Sequence, residues 1–268
     1  MAEILSYSFM RRAFIVGVFV ALILPLIGTI VVNKRNSMVG DALSHSSLAG
    51  IAIGLIAGLN PVLSAVIFCI VSAFAIEVIG RNFSKSSDIP TAIMMSSGIG
   101  LAAILSDFVP GAANFQSYLF GSIVAIPDLE FYLVIGVSIF VLLSYLAIYK
   151  KIVYIIFDEI GARVAGINVR AINIFTTFLI ALTIAIASRA VGTLMVTSVM
   201  IIPVACAITV SKSFKMTAIL GSFFGLFFVL SGILISYYYN LKPGGSTVMI
   251  GLITLILLMT ANKIRRKN

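Results

Sequence analysis

Charged residues are scarce in this chain. Only 10% of its 268 residues are Asp, Glu, Lys or Arg, where a soluble domain carries about 25%. Hydrophobic residues make up 61%, mean hydropathy is +1.19, and apolar runs of spanning length recur from end to end. That excludes a water-soluble globule. The chain reads as an all-α polytopic membrane protein of about eight to nine transmembrane helices, with residues 1–268 forming a single membrane domain.

Histidine is scarcer still: His45 is the only one. A metalloprotease helix of the HExxH kind needs two, so it is excluded. No serine has a GxSG setting. The Gly40–Asp41 pair lacks the preceding glycine used by intramembrane aspartyl proteases. No GxxxxGK[ST] phosphate loop occurs either, so a nucleotide that energises this chain must be bound by another polypeptide. The two cysteines, Cys69 and Cys206, lie in apolar runs without metal-binding spacing and read as small buried hydrophobes. The first apolar run, 13–32, is too long for a cleaved signal and reads as a retained span.

What is abundant is positive charge, with a net +9. No basic stretch is longer than the last six residues, so a nucleic-acid partner is not expected. The basic residues report topology instead. Apolar runs are expected to span at 13–33, 42–58, 60–80, 89–107, 128–149, 169–188, 192–210, 214–236 and 245–263. With KIRRKN at the C-terminus inside, alternation puts 14 of the 18 Lys and Arg residues inside, as the positive-inside rule requires. Arg11, Arg12, Arg189 and Lys242 fall outside, and nine spans imply an external N-terminus.

Smaller features subdivide the pattern. Residues 115–126 are too short to span and read as a re-entrant or interfacial segment. Pro25 and Pro203 lie within spans and predict kinks or local unwinding. Gly50, Gly54 and Gly58 form a small-residue ridge for helix packing. Residues 150–168 form a cytoplasmic connection. Within it Asp158 to Ala165 opens with acids and carries Arg163 later, as suits a short helix, with Gly166 as its stop. Such a helix is either a partner's grip or a solvated link.

Acids inside a membrane are costly, so their positions carry information. Glu77 precedes Arg81 by one turn, and an interfacial ion pair explains it. Asp107, Asp128 and Glu130 sit at span ends, where surface placement suffices. Asp41 and His45 are different. Four residues apart, they share a helix face, and Ser44, Ser46 and Ser47 flank them. A carboxylate and an imidazole on one face can hold a divalent cation. Zinc takes four ligands at about 2.0–2.3 Å, so two protomers of a homodimer would complete the set. Lys34 and Arg35, on the inner side, precede Asp41 closely and leave the depth of the pair open.

The stretches MVGDALSHSSLAGIAIG, SYLFGSIVAI, DEIGARVAGINV and VGTLMVTSVMIIPVACA resemble the membrane permease of zinc/manganese ABC importers, in order and over most of the chain. The resemblance implies the type II importer fold in the cytoplasmic membrane of a prokaryote. It also implies a homodimer, a cytoplasmic ABC ATPase subunit that holds ATP, and an extracytoplasmic metal-binding protein. On this basis Asp41 and His45 contact the transported ion, and no cofactor is permanently bound. Asp158, Glu159, Ala162 and Gly166 belong to a coupling segment seated on the ATPase. HSSLAG and SYLFGSIVAI resemble the zinc branch, which favours Zn2+ over Mn2+ or Fe2+. The alternatives are a proton-coupled secondary transporter working through Asp41, His45 and Glu77, and a structural scaffold without metal dependence.

Overall fold

The computed structural model describes residues 7–83, 88–110, 115, 118–121 and 127–265. Among these the long elements are α1 (Ser8–Asn33), α2 (Val39–Ile56), α3 (Pro61–Gly80), α4 (Asp88–Ser106) and α5 (Asp128–Phe157). After a short α6 (Glu159–Val164) come α7 (Val169–Val191), α8 (Val196–Val210), α9 (Phe214–Tyr239) and α10 (Pro243–Arg265).

Local chemistry sets the helix ends. Asn60 caps α3 by accepting from Val62 N and Leu63 N, both at 3.0 Å, with Pro61 in the first turn where its missing N–H costs nothing. Asn168 and Ser213 cap α7 and α9 in the same way. Asn240 closes α9 in a left-handed conformation, φ 53°. Pro25 and Pro203 lie inside α1 and α8, and neither ends its helix.

Eight of these helices are long and apolar enough to cross a membrane, and α8, at 15 residues, is not. The expected span at 192–210 is corrected accordingly. Gly192 leaves α7 with φ 98° and starts a non-helical link, so helix resumes only at Val196. The link is held from outside itself: Thr193 N donates to Tyr118 O at 3.0 Å and Leu194 N to Leu119 O at 3.1 Å. Of the segment expected to be re-entrant, Phe115 and residues 118–121 are described, and the remainder lies outside the described residues. Link and helix together still match the height of α10. A Cβ on Gly244, at the start of α10, would touch Val191 O and Met195, while Asn262 near its end donates to Thr209 O at 2.6 Å.

Burial sorts the helices. α1, α2 and α7 are buried over 61–72% of their spanning stretch, against 22–39% for α3, α4, α5, α9 and α10. The outer five face lipid with apolar side chains. α2 is the most buried and the least hydropathic of the eight, as a helix shielded from lipid can be. It packs between α3 and α4 and against α7, while α1 packs on α9, α8 and α5. Gly50 and Gly54 let α3 approach: a Cβ on either would meet Ser64, Ala65 or Pro61 within 3.0 Å. Gly58 does not continue that ridge. It turns the chain after α2 with φ 66° and open space around it.

The two ends of the bundle differ in chemistry. Lys34, Glu77, Arg81, Glu159, Arg163 and Asn173 cluster at one end. Arg12, Asp128, Glu130, Arg189 and Lys242 occupy the other. Arg35, Lys150, Lys151, Arg170, Lys212, Lys215 and Lys263 lie at or near helix ends on the first side as well, and this excess of basic residues marks it as cytoplasmic.

Candidate functional site

From Val39 to Ala52, α2 hides every residue except two. Asp41 and His45 are the only partly exposed positions in that stretch, with twelve buried residues around them. The carboxylate and imidazole therefore lie along one open strip of an otherwise enclosed helix. Neither side chain forms a hydrogen bond or ion pair among the described residues.

The neighbouring helices set the depth of this strip. Cys69 Sγ donates to Leu43 O at 3.2 Å, and Cys69 is the ninth of twenty residues in α3. A Cβ on Gly98 would lie 2.8 Å from Ser46 N and 3.0 Å from the His45 carbonyl carbon, and Gly98 is the eleventh of nineteen residues in α4. Two antiparallel neighbours thus place residues 43–46 at mid-height. The proximity of Lys34 and Arg35 is accommodated because α2 starts at Val39, three residues before the expected span, and climbs at about 1.5 Å per residue.

The three serines do not join the pair. Ser44 Oγ donates to Asp41 O at 3.0 Å, Ser46 Oγ to Ala42 O at 2.9 Å, and Ser47 Oγ shares a 2.7 Å bond with Ser188 Oγ of α7. Back-bonding of this kind satisfies a hydroxyl inside a helix and takes it out of contention as a free donor or ligand. Among the described residues no group of three or more His, Cys, Asp or Glu could hold a metal. One chain offers two such ligands here.

A further oxygen beside the strip escaped sequence reasoning. Thr197 Oγ1 of α8 is buried without a hydrogen-bond partner and lies 3.0 Å from the Cβ position of Gly40. Its position inside the TSVMIIP run gave no signal, because only the tertiary crossing of α8 and α2 brings it near.

At the cytoplasmic end, α6 forms as its sequence predicts. Asp158 Oδ1 accepts from Gly161 N at 2.8 Å, and Arg163 Nη2 pairs with Glu159 Oε1 across one turn at 2.5 Å. Gly166 takes φ 79°, and Ile167 N bonds back to Ala162 O at 3.0 Å, a Schellman stop. Asp158, Glu159 and Gly166 are exposed, whereas Ala162 is fully buried with Ile155 and Val169. Ile160 and Val164, which sequence reasoning did not single out, point outward at 79% and 85% exposure. Partial desolvation lowers the pKa of nearby Lys34 from its ordinary value, opposed by Glu159 and Glu77. Its Nζ donates to Asn173 Oδ1 at 2.9 Å.

The outer end overturns one expectation. Glu130 is not a surface residue: it is 3% exposed, and its Oε2 accepts from Arg189 Nε at 2.7 Å. The Tyr118 ring lies 4.7 Å from the same guanidinium. Gly121 and Gly192 meet backbone to backbone here, and a Cβ on either would fall within 2.7 Å of the other strand of chain. Asp128 behaves as expected, pairing with Arg12 at the surface.

A lipid-facing ring of helices around a polar strip, with an exposed apolar connector on the cytoplasmic side, defines a membrane permease. Residues 6–262 match the ABC 3 transport family, and the chain belongs to it. A Treponema pallidum (strain Nichols) protein named "Probable metal transport system membrane protein" is 32% identical over 262 residues, covering 98% of both chains. The "Manganese transport system membrane protein MntC" of Listeria monocytogenes serovar 1/2a is 28% identical, over 93% of this chain and 89% of its own. The structure of "PsaBC from Streptococcus pneumoniae in complex with Fab" aligns with a TM-score of 0.86 at 28% identity, covering 96% of this chain and 94% of that one. The chain is thus a multi-pass membrane permease of an ABC-type metal importer. It is not itself an enzyme, since ATP hydrolysis in this class belongs to a separate subunit. Membership of an ATP-driven class disfavours the proton-coupled secondary transporter. The zinc-branch expectation gains no support, because the relatives named for a metal are named for manganese.

Proposed function

We propose that this permease carries Mn2+ inward, with Asp41 and His45 as its ligands at mid-membrane. The observation that carries this reading is the open strip on α2, where only the carboxylate and the imidazole are left uncovered. An ionisable pair at that depth is expensive unless it serves a polar pathway. The carboxylate suits manganese while the imidazole suits zinc and iron as well, so it is the relatives' names that favour manganese.

Two donors cannot complete a coordination shell, so water, Thr197 or a second copy of the chain must supply the rest. A homodimer with the strips facing each other supplies two carboxylates and two imidazoles. The site binds modestly, because ligands as tight as a structural metal site would not release the ion. No cofactor is held permanently.

ATP acts from a cytoplasmic ABC ATPase seated against α6, through exposed Ile160 and Val164 and with Asp158, Glu159 and Gly166 shaping the contact. Ala162 anchors α6 to the bundle from its buried side. An extracytoplasmic metal-binding protein delivers the ion at the outer end. The test is uptake into proteoliposomes with and without the ATPase and ATP, with Mn2+, Zn2+ and Fe2+ in competition. Uptake that needs both and is best displaced by Mn2+ is expected. Uptake by this chain alone under a pH gradient would overturn the proposal.

A further inference from the structure

Below Asp41 the bundle is not solid. A cavity of about 340 Å³ opens at the cytoplasmic end, lined by Lys34, Asn36, Val39, Glu77, Pro90 and Thr177 among others. Val39 opens α2, and Asp41 follows two residues later, about 3 Å higher but about 200° round the helix, so the cavity lies lower than the carboxylate and under the opposite face of α2. Glu77 also lines a second depression, which it shares with Glu159, Arg163 and Asn173. The cavity thus lies on the cytoplasmic side of the level of the Asp41–His45 strip and extends, through Glu77, towards the α6 region.

Two oxygens of this cavity's lining residues are unaccounted for. Asn36 Oδ1 and Glu77 Oε2 are both buried atoms without a hydrogen-bond partner. Buried acceptors are ordinarily satisfied, and a carboxylate oxygen left bare is costlier than a neutral one. Neither nearby cation bonds these two oxygens. Arg81 approaches only the other carboxylate oxygen, Oε1, at 3.9 Å, and the Lys34 ammonium bonds Asn173. A carboxylate and an amide carbonyl are hard oxygen donors, the type that suits Mn2+, Mg2+ or Ca2+.

We propose that Glu77 and Asn36 form a second, weaker oxygen-donor station for the divalent cation, between the Asp41–His45 pair and the cytoplasm. The inference rests on the reading of that pair as the central site. Lys34 in the same cavity gives the station its character, because a neighbouring ammonium lowers its affinity for a cation. An ion that leaves the mixed nitrogen–oxygen site and passes round the start of α2 meets oxygen donors beside a positive charge and drains towards the cytoplasm. Glu77, interpreted from sequence as the structural partner of Arg81, thus has one oxygen for each task.

The test is Mn2+ binding to the purified permease–ATPase complex without nucleotide, followed by loss of the free-ion EPR signal. In the Asp41→Ala/His45→Ala background the tight site is expected to vanish, with one weak Mn2+ site per chain remaining. Adding Glu77→Gln should weaken that site by about tenfold or more, the least that loss of a direct ligand costs, while Glu77→Asp retains part of it. Arg81→Gln should preserve or tighten it. Absence of weak binding in the double variant, indifference to Glu77→Gln, or equal loss from Arg81→Gln would each overturn the station. Failure of the central reading looks different: the double variant would keep its tight site, and the response to Glu77→Gln would persist beside it.

Discussion

Glu130 and Arg189 are joined at 2.7 Å across 59 residues of sequence, with side chains only 5% and 9% exposed. The pair ties the start of α5 to the end of α7, next to the point where residues 118–119 hold the link before α8. Replacing one member of a buried ion pair costs about 3–5 kcal/mol, because the other charge stays buried without its counter-ion. Glu130→Ala should therefore lower the thermal midpoint of the detergent-solubilised permease markedly. The double variant Glu130→Ala/Arg189→Ala should recover part of the loss. If the double variant simply adds the two single effects, the charges are not coupled and the pair has no such structural role.

Asp41→Ala and His45→Ala are each expected to abolish ATP-dependent Mn2+ uptake, with affinity for the ion falling at least about tenfold. Both positions are partly exposed on α2, so neither change opens a core cavity, and the complex with the ATPase should assemble normally. Uptake, metal binding and co-purification measured on the same preparations separate these effects. Normal uptake by both variants would remove the pair from the pathway.

The sequence revealed the helices better than their contacts. Apolar runs located the eight helices long enough to cross, and GlyAsp-Ala-Leu-Ser-His located the polar strip, because spanning length and intramembrane charge are local signals. Glu130 was misjudged since its partner lies 59 residues away, and no spacing rule connects a helix start to a distant helix end. The break before α8 was read a few residues too early, at 189–191, whereas helix runs to Val191 and resumes at Val196. Gly192 and Leu194 belong to the run expected to span from 192, and only the backbone bonds to residues 118–119 show why helix pauses there. Ala162 and Val164 differ by half a turn of a six-residue helix, too short for periodicity to tell the buried residue from the exposed one.

The α6 region carries its own prediction. Gly166 adopts φ 79°, and a β-branched side chain there stores about 1–3 kcal/mol of strain. Gly166→Val should unseat the end of α6 and reduce recovery of the ATPase in co-purification. Val164→Glu alters only an exposed side chain, so it should weaken ATPase association while leaving the thermal midpoint unchanged. Full ATPase recovery with both variants would show that the partner docks elsewhere.

Gly98 offers the sharpest separation of packing from ligation. It has no side chain and binds nothing, yet a Cβ there would press on backbone atoms of His45 and Ser46 at 2.8–3.2 Å. Backbone cannot rotate out of the way as a side-chain tip can, so α4 and α2 must move apart, at about 1–3 kcal/mol. Gly98→Ala should thus displace His45 and reduce uptake with every candidate ligand still present. Gly100 stands two residues further along the same helix with nothing within 4 Å of its Cβ position. Gly100→Ala should be neutral or stabilising by up to about 1 kcal/mol, the helix-propensity gain of alanine over glycine. Uptake and thermal midpoint of the two variants, measured side by side, test whether the α4–α2 contact holds His45 in place. Equal behaviour of the two would mean that the close approach at Gly98 does not govern the site.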